Sequence, residues 1–190
     1  MIKVTRRIVV CSDSHGRGNS RNGNDANRRK VKAEVQILMD PNYIKPFVVA
    51  VKRVFETMIT VPFQLGKPIL KKGNEVPHEI SSIIGLSGNV SGCVVISLSQ
   101  AVAFQLVSVL IGEDVHEMDE VCTDAIGEIA NMIAGNAKTD FPSNDNAISV
   151  PSVVVGRHKV SYPSGIPIIT IPCTTDKGEM IIEVALKVKE

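Results

Sequence analysis

The chain has 190 residues, of which 44% are hydrophobic and 22% charged, the make-up of a soluble globular protein with material for one sizeable core. No apolar run approaches the roughly 20 residues that span a bilayer. The stretch Ile8-Val9-Val10 is too short for a secretion signal, so a cytoplasmic protein is expected. Trp is absent and Tyr occurs twice, which argues against an aromatic platform for single-stranded nucleic acid. Cys11, Cys93, Cys122 and Cys173 are scattered without a CxxC pair. That disfavours a disulfide scaffold or a zinc knuckle and fits a reduced compartment.

The net charge of +1 conceals two unlike segments. Residues 1–33 carry nine Lys/Arg and two Asp, whereas the remainder carries twelve Lys/Arg and eighteen Asp/Glu. From Ser12 to Lys32 the composition is Gly, Asn, Ser and Arg with almost nothing apolar. Such a stretch cannot bury enough surface to offset its ordering entropy. Residues 1–33 are therefore expected to be a disordered basic extension, or a stretch outside the native domain. The domain itself is expected over 34–190. Within the extension, Asp13-Ser14-His15-Gly16 resembles the first block of calcineurin-like metallophosphoesterases. The further Asp, Asn and His blocks of that family are missing, and His78, His116 and His158 stand alone. Two side chains cannot build a two-metal site.

The rest of the chain reads as helices and strands. Phe47, Val48, Val51, Val54, Phe55 and Met58 recur at helical spacing, which predicts a helix over Pro41 to Thr60 with Asp40 as its cap. A polar connector with Gly66, Pro68 and Gly73 follows. Ile80 to Leu86 and Cys93 to Leu98 are β-rich and are joined by the turn-prone Ser87 to Gly92, a hairpin signal. Ser99 and Gly112 bracket a helix from Gln100 to Ile111. An acidic linker leads to a third helix, Val121 to Lys138. Strands over Ala147 to Val155, Pro167 to Pro172 and Glu179 to Val188 close the chain. The expected class is α+β, a mostly antiparallel sheet covered by helices.

The third helix carries the candidate chemistry. With Glu128 at zero and about 100° per residue, Ile126, Ile129, Ile133 and Cys122 make a buried stripe. Asp124, Asn131, Gly135 and Lys138 lie opposite, flanked by Gly127 and Ala134. Glu128 and Asn131, at i and i+3, then project side by side. Gly127 and Gly135 make that face shallow, so a partner's loop is expected to approach the helix there. By the same wheel Asn136 points away from Asn131, and a cap of the helix end is expected for it.

The run Asp124-x3-Glu128-x2-Asn131, continued as Met132-Ile133-Ala134-Gly135-Asn136-Ala137-Lys138, resembles the signature helix of the CheC/CheX/FliY family of chemotaxis phosphatases. The order of elements from Ala33 to Glu190 is similar as well, and the likeness is greatest to CheX. Pro151 is the candidate for the proline that the family pattern places after the Asn.

That resemblance implies a CheC-like fold and dephosphorylation of the phospho-aspartate of a CheY-type response regulator. It assigns the catalytic roles to Asn131, which would orient the attacking water, and Glu128, which would pair with a regulator lysine. It implies no cofactor or metal of its own, with Mg²⁺ held by the partner regulator; from the composition, no nucleic-acid or membrane partner is expected. It also implies a homodimer, for which an apolar edge on Glu179 to Val188 would be a second reason. Glu56-Thr57-Met58-Ile59 has Ile where a second site would need Asn, so one site per chain is expected. The alternative is a non-enzymatic docking module for a response regulator or the flagellar switch.

Overall fold

In the computed structural model, which describes residues 41–73 and 76–189, helix α1 runs over Pro41–Val54. The extension over 1–33, the boundary before residue 34, the Asp13/His15 motif and the Asp40 cap lie outside the described residues. Pro41 suits the first helical position, where its missing N–H would have no helical partner. Tyr43, Ile44, Phe47, Ala50, Val51 and Val54 form the buried stripe of α1. The rings of Tyr43 and Phe47 meet Phe141 edge-on, at 5.3 and 5.8 Å between centroids. The predicted helix continues past Val54, but as a wider π turn over Phe55–Ile59. It stops at Thr60, which adopts the left-handed region with φ 53°.

The connector expected to be irregular contains two short strands, β1 (Phe63–Leu65) and β2 (Ile69–Leu70). Runs of two or three residues carry no readable periodicity. The hairpin follows as expected, with longer arms: β3 is Ile80–Gly88 and β4 is Val90–Leu98. Its turn needs Gly88, because φ there is 116° and a Cβ would lie 2.1 Å from the carbonyl oxygen of Asp145. Helix α2, Gln100–Ile111, begins and ends as predicted. The Ser99 hydroxyl accepts from the N–H of Val102 at 3.4 Å, and Gly112 closes the helix at φ 78°. Helix α3 is Glu120–Thr139.

The single strand expected over Ala147 to Val155 is instead two, β5 (Asn146–Ile148) and β6 (Ser152–Val155). Both pair with β3. Between them the chain arches away at Ser149–Pro151, where Pro151 has no N–H to give a ladder. Strands β7 (Ile169–Thr175) and β8 (Gly178–Val188) complete the fold. The strand order is β1-β7-β8-β4-β3-β5, with β2 on β7 and β6 on β3, and every pairing is antiparallel. This is the α+β class expected.

The three described α-helices lie on one face of the sheet. Met180, Ile182, Val184 and Leu186 of β8 join Val94, Ile96, Ile84 and the helical stripes in one core. Alternate residues of β8 face the other way. There the Glu183 carboxylate, 2% exposed, sits 2.5 Å from the Lys71 ammonium and accepts a hydrogen bond from the Tyr162 hydroxyl. One expectation fails here. Strand β8 is central, hydrogen-bonded to β4 on one side and β7 on the other, so it offers no apolar edge for a dimer. Adjacency across a sheet is set by long-range pairing, which strand composition does not encode.

Candidate functional site

Helix α3 is started by Asp119, whose carboxylate accepts from the N–H of Cys122 at 2.8 Å. Glu120 in the first turn and Lys138 in the last complement the helix dipole. Its buried stripe, including Cys122, Ile126, Ile129 and Ile133, is the one predicted, and the helix packs against α1, α2 and β3. That anchorage fixes which way the opposite face points. Asp124 and Glu128 are exposed, and Asn131 is half-buried. Among the described residues neither Glu128 nor Asn131 has a hydrogen-bond or ion-pair partner within the chain. The pair therefore stands about 5–6 Å apart at Cβ on one surface, as i,i+3 geometry dictates. It presents a carboxylate beside an amide.

The structure changes the reading of what surrounds the pair. A Cβ at Gly127 would lie 3.2 Å from Cγ of Pro151 and 3.7 Å from Cγ2 of Val153. A Cβ at Gly135 would lie 3.9 Å from Cδ1 of Ile148. So the close approach at Gly127 is made by the chain's own Ser149–Pro151 arch, not by a partner's loop. The arch runs antiparallel to α3 from the level of Gly135 to that of Gly127, and Asn131 lies between those levels. Its base is pinned to β3: the Ser149 N–H donates to the Gly85 carbonyl at 2.9 Å, and the Gly85 N–H donates to the Ser149 hydroxyl oxygen at 2.9 Å. The Ser149 hydroxyl in turn donates to the Val150 carbonyl at 2.8 Å.

Asn136 does not cap the helix. Its amide donates to the Met132 carbonyl at 2.8 Å, and its oxygen accepts from the Arg53 guanidinium at 3.3 Å. It ties α3 to the end of α1, a role that needs tertiary contact to see. In the Glu56–Ile59 segment, Ile59 is fully buried while Glu56, Thr57 and Met58 are exposed. Among the described residues no three or more His, Cys, Asp or Glu side chains are gathered to hold a metal. No described helix is long and apolar enough to cross a membrane. The arch interrupts what the sequence predicts as one continuous strand. The signal for it was Pro151 inside an apparent strand.

Comparison with known proteins gives the family to which this fold belongs. A family model described as chemotaxis phosphatase CheX matches residues 80–174, from the start of β3 into β7. The CheY-P phosphatase CheX of Thermotoga maritima is 30% identical over 131 residues, which is 67% of this chain and 84% of that protein. A CheC-like superfamily protein from Shewanella sp. PV-4 superposes with a TM-score of 0.72 at 29% identity, covering 78% of this chain and 99% of that one. The CheX of a CheX–CheY–BeF3–Mg²⁺ complex from Borrelia burgdorferi gives 0.67 at 27% identity, covering 76% and 97%. The chain belongs to the CheC/CheX/FliY family of chemotaxis phosphatases. The curated relative and the family model are both CheX.

Proposed function

We propose that this protein hydrolyses the phospho-aspartate of a CheY-type response regulator, with Asn131 as the catalytic amide and Glu128 as the docking charge. The observation that carries the reading is the Glu128/Asn131 pair on α3, unpartnered among the described residues and held on a rigid face, in a member of a phosphatase family. Relatives support it: one is named a CheY-P phosphatase, and another is seen in complex with CheY.

The chemistry asks little of this chain. Hydrolysis of an acyl phosphate needs a water in line with the phosphorus, and the gain comes from positioning. A side-chain amide can accept from that water and donate to a neighbouring oxygen at once. It carries no charge to repel the phosphoryl group. The regulator holds the phosphoryl group and the Mg²⁺ that neutralises it. Glu128, one turn before Asn131, pairs with a regulator lysine and fixes the register in which the amide enters.

The test is phosphate release from a phosphorylated CheY-type regulator, with wild-type protein and with Asn131→Ala. Acceleration by the wild type and its loss in the variant support the reading. Binding without acceleration in the wild type would leave a docking module instead.

The same proposal includes a cytoplasmic homodimer. Its supports are the likeness to CheX and the exposed Ile69 and Leu70 on the short strand β2. A molar mass in solution twice that of the 20.5 kDa chain is expected, and a concentration-independent monomer would remove this part.

A further inference from the structure

Glu128 and Asn131 account for register and chemistry, but a charge and an amide on a wet helix face do not supply much affinity. Two apolar side chains flank them. Val150 is 83% exposed and Val121 is 58% exposed, the two highest values among the large hydrophobic residues described. Val121 lies seven residues before Glu128, which puts it about 20° round the helix from it and roughly 10 Å towards the N-terminus of α3. It is thus on the outward stripe with Asp124, Glu128 and Asn131. Val150 is the tip of the Ser149–Pro151 arch, beside the levels of α3 that hold Asn131.

Neither side chain is exposed by looseness. Val121 is in the first turn of a capped helix. Val150 stands on a bend held at Ser149 by three hydrogen bonds and at Pro151 by contact with Gly127. A rigid, solvated apolar side chain loses little entropy when it is covered, so its burial contributes to binding with small ordering cost. Exposed apolar groups at the two ends of a polar functional pair have the anatomy of an interface, with apolar anchors around oriented polar contacts.

Resting on the phosphatase reading above, we infer that Val121 and Val150 are the apolar anchors that seat the phosphorylated receiver domain over Glu128 and Asn131. The occupant is one partner, a receiver with apolar surface on both sides of its phosphorylation pocket. The anchors set affinity, while Asn131 sets the rate of the bound complex.

The experiment measures KM and kcat for dephosphorylation of a phosphorylated CheY-type receiver by the full chain, its Val121→Ser and Val150→Ser variants, and the double variant. Each single variant is expected to raise KM about five- to tenfold, and the double variant more, from the lost apolar burial. The loss should be little changed by added salt, unlike that of Glu128→Ala, which salt should mask. Val150→Ile should restore KM, and Val109→Ser on α2 should leave it alone. Thermal midpoints separate docking from folding.

An unchanged KM in the double variant, with turnover still abolished by Asn131→Ala, overturns the anchors and leaves the phosphatase reading standing. A fall in kcat at unchanged KM also overturns them. Absence of turnover in the wild type removes both.

Discussion

The molecule holds two polar clusters on opposite sides of its sheet, and they differ in the one respect that matters for function. Behind the sheet, Lys71 and Tyr162 are both partnered with Glu183. The ion pair is buried, the phenol donates to the carboxylate, and the ammonium lies 5.4 Å from the Tyr162 ring centroid. In front, on the outer face of α3, Glu128 and Asn131 have no hydrogen-bond or ion-pair partner among the described residues. A buried charge must find a partner inside the fold or the fold is lost. A functional group must instead be kept without one, on an element rigid enough to hold it in place. Perturbed titration follows the first cluster: burial, then the Glu183 hydrogen bond, then its negative charge push the Tyr162 phenol well above its ordinary value. Here the perturbed group marks structure, not catalysis.

The sharpest test of this contrast is Lys71→Met. It leaves Glu183 buried with a single partner, and breaking such a pair costs about 3–5 kcal/mol. Denaturant unfolding should show the loss, while turnover per folded molecule should be unaltered. Asn131→Ala should do the reverse. Turnover should drop on the order of a hundredfold, about 2.7 kcal/mol in the barrier, with no change in thermal midpoint. If either variant moves the other variant's readout, the division between the two clusters fails.

Gly127→Val lies between these cases. Its side chain would meet Pro151 and force the arch outward, an overpacking cost of about 1–3 kcal/mol. Because the arch borders Asn131, both stability and KM should worsen together.

The smallest effect expected is alkaline. The folded-state pKa of Tyr162 is raised, so above about pH 10 the unfolded chain loses that proton more readily than the native one. Its contribution is therefore whole below that pH and is lost as pH rises. Stability of the wild type should fall more steeply above pH 10 than that of Tyr162→Phe, as pH-resolved unfolding curves would show.

Much of this was legible without coordinates. The spacing of Ile126, Ile129 and Ile133 sets the inward face of α3 and therefore the outward position of Glu128 and Asn131. Ser99 and Gly112 mark the ends of α2 through local chemistry alone. The roles proposed for the pair rest on the family resemblance. Gly127 marks a place of close approach in the sequence, but the approaching group is Pro151 of the same chain, which lies 24 residues away and carries no local signal of that contact. The position of Asn136 near the end of the helix suggests a cap, whereas Met132 and Arg53 of α1 supply its contacts.

The division has a physical reason. Helical periodicity, caps and turns depend on residues within a few positions of one another, so the helices, the hairpin and the side-by-side placement of Glu128 and Asn131 can be read locally. Strand adjacency and close packing depend on residues far apart in the chain. That β8 is central, that β1 and β2 pair with β7, and that the strand after α3 breaks at Ser149–Pro151, with Val150 at the exposed tip, follow from long-range pairing alone.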